Sequence, residues 1–285
     1  MHLGLLCLTI TVAAVVRWRW KPGLGTWSQR WWWAVLALCC PIFGLFSTAI
    51  AILGMGHHGT MLGWAVGPTG CRISQLVLIG GLMAGLYGVF QAGWTTWRWR
   101  QYPLTQLPQG IPARLIDTEV PIAAQVGFWR SALMVSRGWL DQLSSEEQAM
   151  VLAHEQAHAY YRDPLGFWLL GMVRQLTAWL PCTQALWQEL LLLREIRADR
   201  WAAQQAHPLA VAELLVKMSR QTILEKAVPS SALIGFSSPD EMDRLEQRVD
   251  ALLEPMPSEE TPPLGKVVVG FTLTLLPLLA MGLHH

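Results

Sequence analysis

Four long apolar segments constrain this chain more than any other feature, because each must be removed from water. They lie at about 2–20, 31–53, 74–94 and 265–283. Since a helix rises about 1.5 Å per residue, segments of about 20 residues can cross the hydrocarbon core of a bilayer. The sequence therefore predicts three transmembrane helices within residues 1–100 and a fourth within 263–285. A chain that is 52% hydrophobic and 14% charged fits that prediction.

The first apolar segment is the shortest, and two interpretations of it are open. Leu3 to Val16 is short for a span, but residues 2–20 would suffice if the side chains of Arg17 and Arg19 snorkel to the interface. A signal peptide is the alternative, but here the positive charges follow the apolar run and no small-residue cleavage site is visible. We therefore expect a membrane helix.

Positive charge is distributed unevenly among the loops. The first loop and the segment after the third span carry Arg17, Arg19, Lys21, Arg30, Arg98 and Arg100, whereas the intervening loop carries Arg72. The positive-inside rule then places the N-terminus outside and residues 101–262 in the cytoplasm. We expect a multi-pass protein of a bacterial plasma (inner) membrane.

Two other functions fit the composition less well. Aromatic and basic residues alternate from Trp18 to Arg30, as in some single-stranded nucleic-acid binders, but such residues also flank membrane spans. A net charge of +1 provides no strong field for nucleic acid, so no direct binding is expected. A transporter is disfavoured because the spans lack ionisable residues.

Between the third and fourth predicted spans lies the stretch 144–164, SSEEQAMVLAHEQAHAYYRDP, whose pattern predicts a helix. Ser144 can serve as its N-cap, with Glu147 closing a capping box. Pro164 disfavours helical geometry at Asp163, so the helix should end near Arg162.

His154 and His158 are four residues apart and therefore project from one face of that helix. Two imidazoles in this arrangement can bind one zinc ion, and Glu155 can reach a water bound to it. Zinc lowers the pKa of such a water towards neutrality, and Glu155 would take its proton and deliver it to a leaving amine. A chance pairing of histidines on a helix is the alternative.

A zinc peptidase site needs a third protein ligand, and residues 188–202 form a second predicted helix that can supply it. We predict Glu195 as that ligand and Asp199, one turn on, as the acceptor of a ring N–H from a zinc-bound histidine. Glu189 is an alternative ligand without an acid one turn on. The two acids could also belong to a solvated face, paired with Arg194, Arg197 and Arg200.

Together these residues resemble the membrane-bound gluzincins, which include HtpX-like and CAAX-prenyl-protein peptidases and the BlaR/MecR-type antibiotic-sensing peptidases. Residues 162–165 (RDPL) and 193–195 (LRE) are most similar to the BlaR/MecR-type branch. The resemblance implies that His154, His158 and Glu195 bind Zn²⁺ and that Glu155 is the base. The antibiotic receptors carry a large extracellular sensor after the last span, which this sequence lacks, so penicillin sensing is not expected.

Residues 122–136 suggest a β-hairpin. In gluzincin-like enzymes a strand beside the zinc helix offers its edge to an extended peptide, although a purely structural hairpin would look the same in sequence. The residue that stabilises the transition state stays open among His207, Tyr160, Tyr161 and Arg244.

The sequence thus predicts a mainly α protein with four transmembrane helices and a cytoplasmic α+β gluzincin-like domain at 101–262 containing a small hairpin or sheet. Its predicted function is that of an integral membrane zinc-dependent endopeptidase in signalling. The substrate would be a cytoplasmic regulator, such as a repressor, or a membrane protein. The alternative is a non-catalytic zinc-binding membrane signalling or scaffold protein.

Overall fold

The computed structural model describes residues 2–283 except 57, 59, 62–63, 66, 108–109, 128–130, 228–238 and 255–263. The chain divides into two compact units that alternate along the sequence. The first comprises residues 1–92, 167–191 and 260–285, and the second comprises 93–166 and 192–259. The boundaries expected from the sequence at 100 and 262 stay predictions.

Long apolar helices dominate the first unit. Among the described residues, three helices are long and apolar enough to cross a membrane: α1 (His2–Arg19), α2 (Trp27–Met55) and α3 (Pro68–Trp99). A short antiparallel hairpin of β1 (Thr60–Met61) and β2 (Trp64–Ala65) connects α2 to α3. Three of the four predicted spans are therefore present as helices.

The fourth predicted span is interrupted. It consists of α10 (Leu264–Leu273), α11 (Leu276–Leu279) and a 3₁₀ turn at Ala280–Leu283. Pro277 has no backbone N–H to donate to the carbonyl four residues earlier, at Leu273, so the α-helix ends there. The prediction of one continuous helix over 265–283 is therefore corrected to two short helices and a turn.

Two further helices contribute residues to the first unit, namely α6 (Asp163–Leu176) and α7 (Thr183–Ala203). Their apolar side chains Phe167, Leu186 and Leu190 pack in one cluster with Ala34 and Leu38 of α2.

Arg17 does not snorkel, because its side chain is 0% exposed within the first unit. Its Nε donates to the carbonyl of Ala37 at 2.8 Å, and its terminal nitrogens donate to the hydroxyls of Thr177 at 3.0 Å and Thr183 at 2.5 Å. In a regular helix the carbonyl of Ala37 would accept from residue 41, but Pro41 has no N–H. Arg17 therefore satisfies an acceptor that α2 leaves open.

A four-stranded sheet forms one layer of the second unit. Its order is β3 (Leu104–Gln106), β4 (Pro112–Ile116), β6 (Ala132–Ser136) and β5 (Ala123–Val126). β4 and β6 are parallel, and the outer pairs are antiparallel, with Gln125 opposite Leu133. The hairpin expected at 122–136 is thus present as β5 and β6, and β5 lies at an edge.

The helices of this unit pack on the sheet or on one another: α4 (Arg137–Gln142), α5 (Ser145–Tyr160), the end of α7, α8 (Pro208–Ala227) and α9 (Pro239–Leu253). One core cluster joins Val151 and Leu152 of α5 to Leu133, Val135 and Trp139. A second core cluster joins Ala153 of α5, the residue before His154, to the later helices. Its other buried members are Ala202, Val211, Ala212 and Leu252. Helix α5 is therefore packed on two sides, and the predicted class, mainly helical with a small sheet, is confirmed.

Candidate metal centre

The start of α5 has the predicted capping box. The Ser144 hydroxyl accepts from the backbone N–H of Glu147 at 3.2 Å, and the Glu147 carboxylate accepts from the backbone N–H of Ser144 at 2.8 Å. Two of the N–H groups that helix geometry leaves unpaired are thereby satisfied. The cap fixes where the turns of α5 begin.

The end of α5 lies close to the predicted position. The helix ends at Tyr160, and Arg162 adopts a left-handed conformation with φ of 54°. Asp163, which the sequence placed outside helical geometry, instead begins α6. Pro164 is tolerated there because an N–H in the first helical turn has no intrahelical partner.

Three candidate metal ligands converge from α5 and α7. One ring nitrogen each of His154 and His158 and one carboxylate oxygen of Glu195 lie within 4.8 Å of one another. The two Nε2 atoms are 3.1 Å apart, and those of His154 and His158 lie 3.4 and 3.8 Å from the Glu195 carboxylate. The structure thus brings together the three residues that the sequence nominated.

This donor set fits zinc. Two imidazole nitrogens and one carboxylate oxygen are the protein ligands of many catalytic zinc sites, which keep a fourth position open. With ligand distances near 2.0–2.1 Å, the donor atoms of a tetrahedral site are separated by roughly 3.3 Å. The separations of 3.1, 3.4 and 3.8 Å are close to that value.

Each histidine is oriented by a carboxylate on its other ring nitrogen. The Nδ1 of His154 lies 2.9 Å from Asp199, and the Nδ1 of His158 lies 2.8 Å from Asp163. Such partners select the tautomer whose Nε2 is free to bind a metal. Sequence reasoning assigned this role to Asp199 but missed Asp163, which follows the helix end and is brought back by the turn at Arg162.

Arginines hold these carboxylates in turn. Arg248 of α9 binds both oxygens of Asp199, at 2.7 and 2.8 Å, and Arg197 of α7 donates to Asp163. Asp199 is only 1% exposed, so it does not belong to a solvated charged face. Sequence reasoning considered Arg197 for pairing with Glu195 or Asp199, and it gave Arg248 no role.

Glu195 lies close to both histidines and also forms an ion pair with Arg194. Arg194 donates to its carboxylate at 2.6 and 2.9 Å, as the alternative interpretation of a charged face expected. Glu189, the rival ligand, accepts instead from Arg30 at 2.7 Å and from the backbone N–H of Gly23 at 3.3 Å within the first unit. Glu195 is therefore the glutamate of α7 in the ligand group.

Glu155 lies beside the three candidate ligands and is not one of them. It is 8% exposed, and its Oε2 accepts from the backbone N–H of Gln125 on β5 at 2.8 Å. The donor is a backbone N–H, which no sequence motif marks, so this contact could not be predicted from the sequence. It fixes the carboxylate of Glu155 against the edge strand of the sheet.

Burial and pairing set the charges of the cluster. Burial raises the pKa of the Glu155 carboxyl. Burial also opposes protonation of His154, but hydrogen bonds with Asp199 and Glu195 outweigh it and raise the pKa of His154 to about 9. Burial likewise opposes ionisation of Glu195, yet the bond with His154 and the charge of Arg194 hold the pKa of Glu195 well below its usual value. These shifts favour a protonated His154 beside an ionised Glu195.

The four residues considered for transition-state stabilisation differ in their surroundings. The Tyr160 ring packs 5.0 Å from Trp201, and the guanidinium of Arg197 lies 3.9 Å from the centre of the Tyr161 ring. His207 accepts from the backbone N–H of Leu209 at the start of α8. Arg244 is a partly buried residue of α9. The role stays unassigned among these four.

A paired-histidine helix, a carboxylate from a second helix and a buried glutamate beside them define the class of site found in zinc metallopeptidases. Residues 109–225 match the family model described as Peptidase family M48, which indicates a metalloprotease. Peptidases of this family are generally zinc enzymes. The matched segment contains the three candidate ligands together with Glu155 and Asp199 and ends within α8. No curated protein matches the chain.

Proposed function

We propose that this protein is an integral membrane zinc endopeptidase with one catalytic site in its second unit. The observation that carries the proposal is the convergence of His154, His158 and Glu195 next to the buried carboxylate of Glu155. The metallopeptidase family match and the three candidate spans support it independently of that geometry.

In this proposal His154, His158 and Glu195 hold Zn²⁺. When bound, the metal supplies a Lewis acid that polarises a peptide carbonyl and lowers the pKa of water. Glu155 acts as general base on the attacking water and then returns the proton to the leaving amine. Its burial suits that task, because the raised pKa brings the carboxyl closer to the pH at which it must both accept and release a proton.

The edge of the sheet provides a place for the substrate backbone. β5 lies at that edge, and the contact between Gln125 and Glu155 links it directly to α5. An extended peptide would add alongside β5 through backbone hydrogen bonds, which give affinity with little dependence on side chains. The scissile carbonyl would then lie near the ligands.

We propose that this chemistry takes place at a bilayer, because the same chain carries three candidate membrane spans. We infer an N-terminus outside, a cytoplasmic peptidase unit and a plasma-membrane location from the distribution of basic residues. The interrupted apolar element from Leu264 to Leu283 would provide a fourth crossing. By similarity to the BlaR/MecR-type branch, the substrate would be a cytoplasmic regulator such as a repressor, or a membrane protein, in a signalling role.

The test replaces the base while keeping the ligands. Purified protein in detergent micelles is loaded with zinc and incubated with fluorescently labelled casein, with and without a chelator. We expect Glu155→Gln to retain one zinc per chain and to lose roughly 10²–10⁴-fold in cleavage rate, the usual contribution of a general base. Glu146→Gln, an exposed glutamate in the first turn of the same helix, is the matched control.

Two outcomes would contradict the proposal. Undiminished cleavage by the Glu155→Gln variant would remove Glu155 as the base. Wild-type protein that binds zinc but cleaves nothing would favour the alternative of a non-catalytic zinc-binding scaffold.

A further inference from the structure

Helix α9 contributes to the metal centre although it lies beyond the segment that matches a peptidase family. The match ends at residue 225, whereas α9 spans Pro239–Leu253. Its Arg248 is the residue that reaches the acids of α7. The contribution of α9 to the site therefore has to be judged from its contacts.

The contacts of Arg248 have the geometry of a fixed clamp. Nε and one terminal nitrogen donate to the two oxygens of Asp199 at 2.7 and 2.8 Å, and that terminal nitrogen lies 3.7 Å from the Glu195 carboxylate. A guanidinium that binds a carboxylate through two parallel bonds fixes its rotation as well as its position. Asp199 then presents an oxygen 2.9 Å from the Nδ1 of His154.

Packing holds α9 in the position that this clamp requires. Leu252 is buried in the cluster that contains Ala153, the neighbour of His154 in sequence, and Val249 packs against the same cluster. The Nε of Arg200 donates to the backbone carbonyl of Ala251 at 3.4 Å. Apolar burial and hydrogen bonding thus both connect α9 to the zinc-binding helices.

The second histidine shows the same arrangement with a different source of arginine. His158 is oriented by Asp163, and Asp163 is held by Arg197, which belongs to α7 like Glu195. Each histidine is therefore supported by a carboxylate and an arginine. The support of His154 comes from a helix outside the matched segment.

We infer that Arg248 is a positioning residue of the metal centre and that α9 is part of the catalytic unit. This inference rests on the proposed function only in that the ion bound is zinc. Without the guanidinium, the buried carboxylate of Asp199 would lose its charged partner and the fixed rotation that orients His154. The site would then bind zinc less tightly and with a less regular geometry.

The experiment measures zinc affinity by competition with a chromophoric chelator, using the full chain in micelles. Arg248→Ala should bind zinc up to roughly 10–100-fold more weakly, because it disturbs Asp199, and loss of a ligand's hydrogen-bonding partner has an effect of that size. Arg248→Lys should lose less, because an ammonium keeps the charge but cannot make both parallel bonds. Gln247→Ala, an exposed neighbour on α9, is the matched control and should bind as wild type does.

Two further measurements separate positioning from general folding. The visible absorption of Co²⁺ in the site should change in both Arg248 variants while the far-ultraviolet circular dichroism stays that of wild type. If Arg248 acts through Asp199, the double variant Arg248→Ala/Asp199→Asn should lose no more affinity than the weaker-binding of its two single variants. Should Arg248→Ala fail to fold, the Lys variant and its combination with Asp199→Asn provide the same comparison.

Unchanged zinc affinity in a folded Arg248 variant would overturn the inference, as would losses that multiply in the double variant. A wild-type chain that binds zinc and cleaves no peptide would overturn the proposed function alone, because the affinity losses would still support Arg248. A wild-type chain that binds no zinc would overturn both.

Discussion

Two buried arginines show how differently the two units use the same side chain. In the first unit, Arg17 is 0% exposed and its described partners are neutral oxygens, those of backbone carbonyls and threonine hydroxyls. In the second unit, Arg248 is held by the carboxylate of Asp199 and lies near that of Glu195. One guanidinium satisfies a carbonyl that a helix leaves open, and the other binds an acid of the candidate metal centre.

The difference follows from what each arginine has to satisfy. Near Arg17 the group without a partner in α2 is the carbonyl of Ala37, because Pro41 has no N–H to donate to it. A neutral acceptor of this kind needs only a hydrogen-bond donor. Near Arg248 the open group is a buried carboxylate, which is costly without a charged partner. A buried arginine therefore indicates which acceptors lie around it. Where those acceptors are acids, they make the region a candidate functional site.

The largest expected effect concerns the two glutamates that the sequence left in competition. Glu195→Ala should weaken zinc binding by more than about 100-fold, beyond what loss of an outer partner causes, because a direct ligand is removed. Glu189→Ala should leave zinc affinity unchanged and lower the stability of the first unit, since the partly buried Arg30 loses the carboxylate that it pairs with. Metal analysis and chelator competition on both variants measure this, and normal zinc retention by Glu195→Ala would return the ligand role to Glu189.

The next effect tests the neutral environment of Arg17. Arg17→Met should lower the free energy of unfolding in micelles by about 2–4 kcal/mol, because several buried acceptors lose their donor. Arg19→Met, an exposed arginine two residues on, is the control and should change little.

Pro41→Ala isolates one of these acceptors. Alanine restores an N–H for the carbonyl of Ala37, so Arg17→Met should cost about 1 kcal/mol less in that background. Equal costs in both backgrounds would show that the carbonyl of Ala37 does not matter to Arg17. Both values come from equilibrium unfolding followed by circular dichroism.

Much of the local structure could be predicted because its causes are local. The capping box of Ser144 and Glu147 and the end of α5 near Arg162 depend on neighbouring residues, and three spans depend on runs of apolar side chains. The spacing of His154 and His158 likewise fixes their common face. These features need no knowledge of the rest of the chain.

The remaining features depend on contacts between distant residues. Arg248 lies 49 positions from Asp199, and Gln125 reaches Glu155 through a backbone N–H that every residue but proline has. Pro41 leaves the carbonyl of Ala37 open within a predicted span, but nothing in the sequence shows that Arg17, 20 residues away, reaches this carbonyl. The interruption at Pro277 did have a local cause, but apolar length outweighed it in the prediction of a fourth span.

The last expected effect, a change of about tenfold per pH unit, tests the acids around His154. In the metal-free protein the pKa of His154 is raised to about 9, so zinc must displace a proton below that pH. Apparent zinc affinity should therefore rise about tenfold per unit from pH 7 towards 9 and level off above it. Asp199→Asn removes the hydrogen-bonding charge that raises this pKa, so its affinity should level off at lower pH. Chelator competition, corrected for the chelator's own titration, measures both curves, and a flat wild-type curve between pH 7 and 9 would show that the acids do not hold a proton on His154.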